Sequence, residues 1–261
     1  MKNLMLILAM LMAASTAWAQ QERIYEKDTC NVITKINPQD KVIYLVFTGH
    51  FGVADGGHFE NFDGIEPVLN TLKRKGVKAA FFPTAITLEQ KKYEKSVQRI
   101  INEGHYLSAH SYAHLLLCDQ NGKSLVTRDS VLADLHLMEK QLERFGLSKK
   151  DYDWMIPPYE TYNVETAGYY INEGYTLLNP TRGLINDLDW TSPGKEDYKS
   201  LSMILDHLWQ YEAEHTLNGF IMLIHAMNYP DRTPEDRPYN YLGQIIDYLT
   251  AKGYRFEKVR D

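Results

Sequence analysis

The sequence predicts one α/β domain of the (β/α) barrel type, and three observations carry that expectation. Apolar, strand-like runs alternate with amphipathic, helix-like runs through roughly seven units without a long linker. The chain has 261 residues, a length that suits a barrel better than a small doubly wound sheet. Unusual polar residues recur just after the apolar runs, and such barrels keep their chemistry at the C-terminal ends of strands.

Ahead of the barrel, residues 1–19 read as a cleaved secretory signal. Lys2 is a positive n-region, 4–12 is a short apolar run, and Ala17-Trp18-Ala19 is a small-x-small cleavage site. The run is too short for a spanning helix, which needs about 20 apolar residues. The expectation is an exported chain, periplasmic or secreted and not membrane-spanning, beginning near Gln20. Residues 20–40 form an N-terminal extension and 41–261 the barrel domain.

Each element then follows in order. KVIYLVFTG (41–49) is a nearly continuous apolar run, as expected of a strand buried on both faces. After a loop, Asp63 with Glu66 three residues on reads as a capping box, opening a helix with Ile65, Val68, Leu69 and Leu72 inward. Strands are expected at VKAAFFPT, HYLSAH, YDWMIPP, YTLLNPT, GFIMLIHA and YRFEKV. Helices are expected over 89–103, 128–145, 164–173, 197–214 and 238–252, most of them ended by a glycine.

The net charge of −6, without a basic patch, argues against nucleic acid as a partner. The two cysteines, Cys30 and Cys118, are too few for a thiolate metal cage. An exported chain could pair them or leave two buried thiols, and the sequence leaves both open.

Candidate chemistry lies after four separate strands. His110 and His114 form HSYAH, and on a helical turn residues four apart share a face, so both imidazoles could reach one metal. His225 ends IMLIH, where a buried imidazole of near-neutral pKa could act as a general acid. His50 lies between glycines in FTGHFG, and Glu160 follows the extended IPPY. DLDW (187–190) would more often be a solvated loop with one packed Trp.

From Lys41 to Val259 the pattern resembles the polysaccharide deacetylases of carbohydrate esterase family four, the NodB-homology fold. The resemblance implies a distorted (β/α) barrel that hydrolyses acetyl groups from an acetylated glycan, using a divalent metal held by one Asp and two His. HSYAH matches the second motif fully, which makes His110 and His114 metal ligands. LIH matches the fifth motif, which makes His225 the catalytic acid. Pro158 and Tyr159 match part of the third motif, whose Tyr backbone N–H stabilises the oxyanion. DLDW resembles the fourth motif in letters.

The first motif departs from the family. Where relatives carry two Asp, a base and a metal ligand, this chain reads FTGH. Aligned letter for letter, Gly49 replaces the base and His50 the metal Asp; aligned one residue earlier, Thr48 and Gly49 replace them. The third-motif Arg that braces the base is Ile156, and Glu160 stands where relatives have Gly. The expected site is therefore a divalent ion, zinc first, on His50, His110 and His114. His225 is the acid, the Tyr159 N–H serves the oxyanion, and Glu160 is a relocated base, with Asp55, Glu60 and Asp63 as substitutes. Two other readings compete: an inactive NodB-like module that binds carbohydrate or a partner, and hydrolysis of another amide or ester.

Overall fold

The computed structural model describes residues 22–50, 61–229 and 231–260. The signal segment, Asp55 and Glu60 lie outside them. Among the described residues, nine strands run β1 (Tyr25–Lys27), β2 (Ile33–Ile36), β3 (Val42–Gly49), β4 (Ala80–Pro83), β5 (Tyr106–Leu107), β6 (Trp154–Met155), β7 (Thr176–Leu177), β8 (Phe220–His225) and β9 (Arg255–Phe256). The same residues form eight α-helices: α1 (Ile65–Lys75), α2 (Ala85–Glu89), α3 (Glu94–Asn102), α4 (Arg128–Glu143), α5 (Lys149–Tyr152), α6 (Val164–Asn172), α7 (Leu201–Glu214) and α8 (Leu242–Ala251).

The main sheet has the order β1-β2-β8-β3-β4-β5, with β9 also on β3, and β6-β7 form a second, two-stranded sheet. Strand β3 is buried along its whole length, as its unbroken apolar run requires. Its Ile43, Leu45 and Phe47 enter the core beneath the helices, while Val42, Tyr44 and Val46 fill the barrel interior.

Side chains close the barrel where backbone ladders stop. Between β5 and β6, the Tyr106 hydroxyl donates to the Trp154 carbonyl (3.1 Å) and accepts from the Trp154 N–H (2.8 Å). On the other side, Ile33 of β2 bridges Leu178 beyond β7, and β2 runs antiparallel to β8. The described part of the extension, 22–40, is thus packed into the barrel through β1 and β2.

Two local expectations are corrected. Helix α1 starts at Ile65 behind Gly64, without a side-chain cap. Asp63 instead accepts from Lys92 and Tyr93, and Glu66 from Ser96 and Arg99, so both carboxylates tie α1 to the α3 region. The single helix expected over 89–103 is broken: α2 ends at Glu89, a 3-10 turn covers Lys91–Tyr93, and α3 begins at Glu94. Gly76 ends α1 as expected, at φ 64°.

Candidate metal centre and active site

At the C-terminal rim, His50, His110 and His114 converge from two strand ends. Each offers a ring nitrogen, the three nitrogens lie within 4.8 Å of one another, and all three residues are buried. His50 and His114 are nearest, with ring centroids 4.0 Å apart. The Nδ1–H of His110 donates to the Ile156 carbonyl (2.8 Å), leaving Nε2 as its lone-pair atom. Neither ring nitrogen of His114 has a hydrogen-bond partner. Burial, then the neighbouring imidazole of His50, holds His110 and His114 well below the ordinary histidine pKa. Buried, neutral imidazoles with unsatisfied lone pairs are what a divalent cation requires, so the residues fit the implied metal.

HSYAH does not reach this geometry as a helical turn. Residues 110–114 are an irregular bend, with Ser111 at φ 63° and His114 at φ 55°. Asp134 of α4 holds it, accepting from the N–H groups of Tyr112 (2.7 Å) and Ala113 (2.9 Å). The Ser111 hydroxyl accepts from the His114 N–H, and the Ser111 carbonyl accepts from the Ala85 N–H of α2.

Glu160 stands beside this cluster, Oε1 being 3.5 Å from His110 Nε2. Burial pushes its pKa up to about 7; His225 opposes the rise, and Asp187 and Asp189 add to it. Tyr159 stacks on His114 at 4.1 Å. Both residues adopt left-handed backbone, φ 57° and 51°. Six non-glycine residues have positive φ among those described, and Ser111, His114, Tyr159 and Glu160 are four of them. Each such residue costs roughly 1–3 kcal/mol, and strain of this kind concentrates at functional sites.

His225 lies across from the histidine cluster, its ring centroid 6.0 Å from that of His50. Asp189, 2% exposed, accepts from the His225 backbone N–H (2.9 Å) and meets Nδ1 at 2.5 Å. Burial disfavours charge on His225, but the Asp189 carboxylate outweighs it and raises the pKa, with help from Glu160 and Asp187. DLDW is therefore not a solvated loop. Arg232, 1% exposed, fixes the chain beyond it through the carbonyls of Thr191 and Lys199.

The missing acids also have a structural account. A Cβ at Gly49 would lie 2.1 Å from a Phe62 ring carbon, so Phe62 fills the space that a side chain there would need. Thr48 pairs in register with His225, on the face of β3 that lines the barrel interior, and its hydroxyl is buried without a hydrogen-bond partner. Of the substitute bases, Asp63 is committed elsewhere through Oδ1, which accepts from both Lys92 and Tyr93.

The structure thus brings together His50, His110, His114, Tyr159, Glu160 and His225. Sequence reasoning missed Asp134, Phe62 and the bracing role of Asp189. Asp134 had a signal, as a carboxylate at an inward position between Val131, Leu135 and Met138. From Glu160, a cleft of about 820 Å³ runs outward past Tyr162 toward the turn between β1 and β2.

The family model for polysaccharide deacetylases matches residues 35–178, more than half of the chain, and the protein belongs to that family. A chitin deacetylase from Colletotrichum lindemuthianum is 23% identical over 197 residues, covering 72% of this chain and 69% of that one. Among solved structures, a family 4 carbohydrate esterase pseudoenzyme from Bacillus anthracis superposes with a TM-score of 0.63 at 18% identity, covering 89% of this chain and 68% of that chain. A peptidoglycan N-acetylglucosamine deacetylase superposes with a TM-score of 0.64 at 20% identity, covering 94% of each chain. At these identities the structural likenesses establish the fold, a NodB-type distorted barrel.

Proposed function

We propose that this protein is an exported, divalent-metal-dependent hydrolase that removes acetyl groups from a glycan. The observation that carries this reading is the meeting of three buried imidazoles, the Glu160 carboxylate and an Asp189-braced His225 on one barrel rim. Export rests on the signal-like residues 1–19. Zinc is the ion that three imidazoles suit best.

His50, His110 and His114 would hold a divalent ion, and such an ion would supply Lewis-acid polarisation and acidify water. Glu160, raised to about 7, takes the proton of the attacking water. The backbone N–H of Tyr159, in the strained turn beside His114, receives the developing oxyanion. His225, its Nδ1 held by Asp189, donates a proton from Nε2 to the leaving nitrogen or oxygen. The strain stored in Tyr159 and Glu160 supports this assignment, because glycine at 160 would relieve part of it.

Two observations favour a second reading, that of a binding module: neither residue at the first-motif positions is a carboxylate, and a pseudoenzyme is among the structural neighbours. The test measures metal content of the purified mature chain and acetate release from N- and O-acetylated glycans. Bound metal with acetate release supports the hydrolase. Bound metal with no acetate from any glycan transfers the assignment to the binding module.

A further inference from the structure

We propose that Cys30 and Cys118 form a disulfide that tethers the turn between β1 and β2 to the loop following the HSYAH bend, across the cleft that leads to Glu160. Both cysteines are free thiols in the structure, and both line that one cleft. They come from segments far apart in sequence. Cys30 lies in the turn between β1 and β2, and Cys118 forms an isolated bridge with Ser124.

The surroundings hold the two walls in place. Asp28 accepts from the Cys30 N–H (2.8 Å) and from the Tyr162 hydroxyl (2.7 Å), which fastens the turn to the segment just after Glu160. Asp119 accepts from the N–H groups of Asn121 and Lys123 (2.9 Å each), which fixes the facing loop. The thiols are within electrostatic reach of each other: burial raises the Cys118 pKa, and Asp119 and Cys30 raise it further. Neither sulfur belongs to the histidine cluster. Both cysteines lie outside the helices and laddered strands, in connecting segments of the kind that can adjust to disulfide geometry.

The chemistry is thiol–disulfide exchange. Each thiol loses a proton, and the pair loses two electrons to form the S–S bond. An oxidant disulfide accepts them and is released as two thiols. An exported chain meets such oxidants, and the bond would fix one wall of the cleft. The oxidising setting and the consequence for substrate rest on the proposed function; the placement of the two thiols on one cleft does not.

The reduced, purified mature chain is equilibrated with an oxidised and reduced glutathione buffer, digested without reductant, and its peptides are weighed. A Cys30–Cys118 cross-linked peptide as the main product is expected. Predominantly free thiols, or only glutathione mixed disulfides, would overturn the proposal. The double variant Cys30→Ser/Cys118→Ser separates the bond from folding. Reductant should lower the thermal midpoint of the oxidised wild type by roughly 5–10 °C and leave the variant unmoved. An equal response in both proteins also overturns the tether. Because the readouts are covalent mass and stability, failure here is distinguishable from failure of acetate release.

Discussion

At the scale of single residues, the site trades stability for chemistry. Glu160 adopts a left-handed backbone where relatives carry glycine, and its carboxylate reaches the histidine cluster. Glu160→Gln keeps the side-chain shape and removes the base, so acetate release should fall by roughly 10²-fold or more while metal content holds. Glu160→Gly should lose activity to a similar degree yet gain about 1 kcal/mol in urea unfolding, because the left-handed strain disappears. Unchanged turnover in the Gln variant would remove Glu160 from the mechanism. Phe62 makes the missing acid difficult to restore. Gly49→Asp alone should destabilise the fold by about 1–3 kcal/mol through overpacking and add no activity. With Phe62→Ala in the same chain, part of that stability should return. A stable Gly49→Asp single variant would show that the Phe62 ring is not the obstacle. Residue identity singled out His110, His114 and His225, whose motifs are local and whose side chains gather on one rim with His50. It did not reveal Phe62, which meets Gly49 only through the tertiary fold.

Elements decide whether those residues meet. Two histidines four apart suggested a helix, yet an irregular bend brings them together, because Asp134 of α4 and the first N–H of α2 take up its backbone polar groups. Periodicity reads elements that satisfy their own hydrogen bonds; it does not read a loop satisfied from a distant helix. The same limit hid the break between α2 and α3, whereas the fully apolar β3 and the inward stripe of α1 were legible in the sequence. Asp134→Ala leaves the N–H groups of Tyr112 and Ala113 without their acceptor, which costs about 1–3 kcal/mol. The metal should suffer as well, since supporting partners of this kind are typically worth roughly 10- to 100-fold in affinity. Competition with a chelator measures it, and wild-type affinity in Asp134→Ala would mean that the bend holds itself.

The whole barrel carries a further histidine, apart in role from the rim cluster of His50, His110 and His114. His105, 7% exposed, accepts the Ala79 N–H at Nδ1 (3.1 Å), and its Nε2 has no partner. Burial, then Lys78, lowers its pKa from 6.5 to about 4. Between those values the unfolded chain binds a proton that the folded chain refuses, so stability must fall as pH drops through this window. From pH 7.5 to 5.0 the loss assigned to His105 is about 2 kcal/mol, since each pH unit between the two pKa values is worth about 1.4 kcal/mol. Protonation would also break the bond from Ala79, which reinforces the sign. His110 and His114 are displaced in the same direction, so the total slope belongs to all three. His105→Asn keeps an acceptor near the Nδ1 position and removes the titration, which isolates its share. Urea unfolding of both proteins at the two pH values should give a smaller pH-dependent loss in the variant, by about 2 kcal/mol. Identical losses would mean that His105 is protonated in the fold, or that the barrel opens locally around it before unfolding.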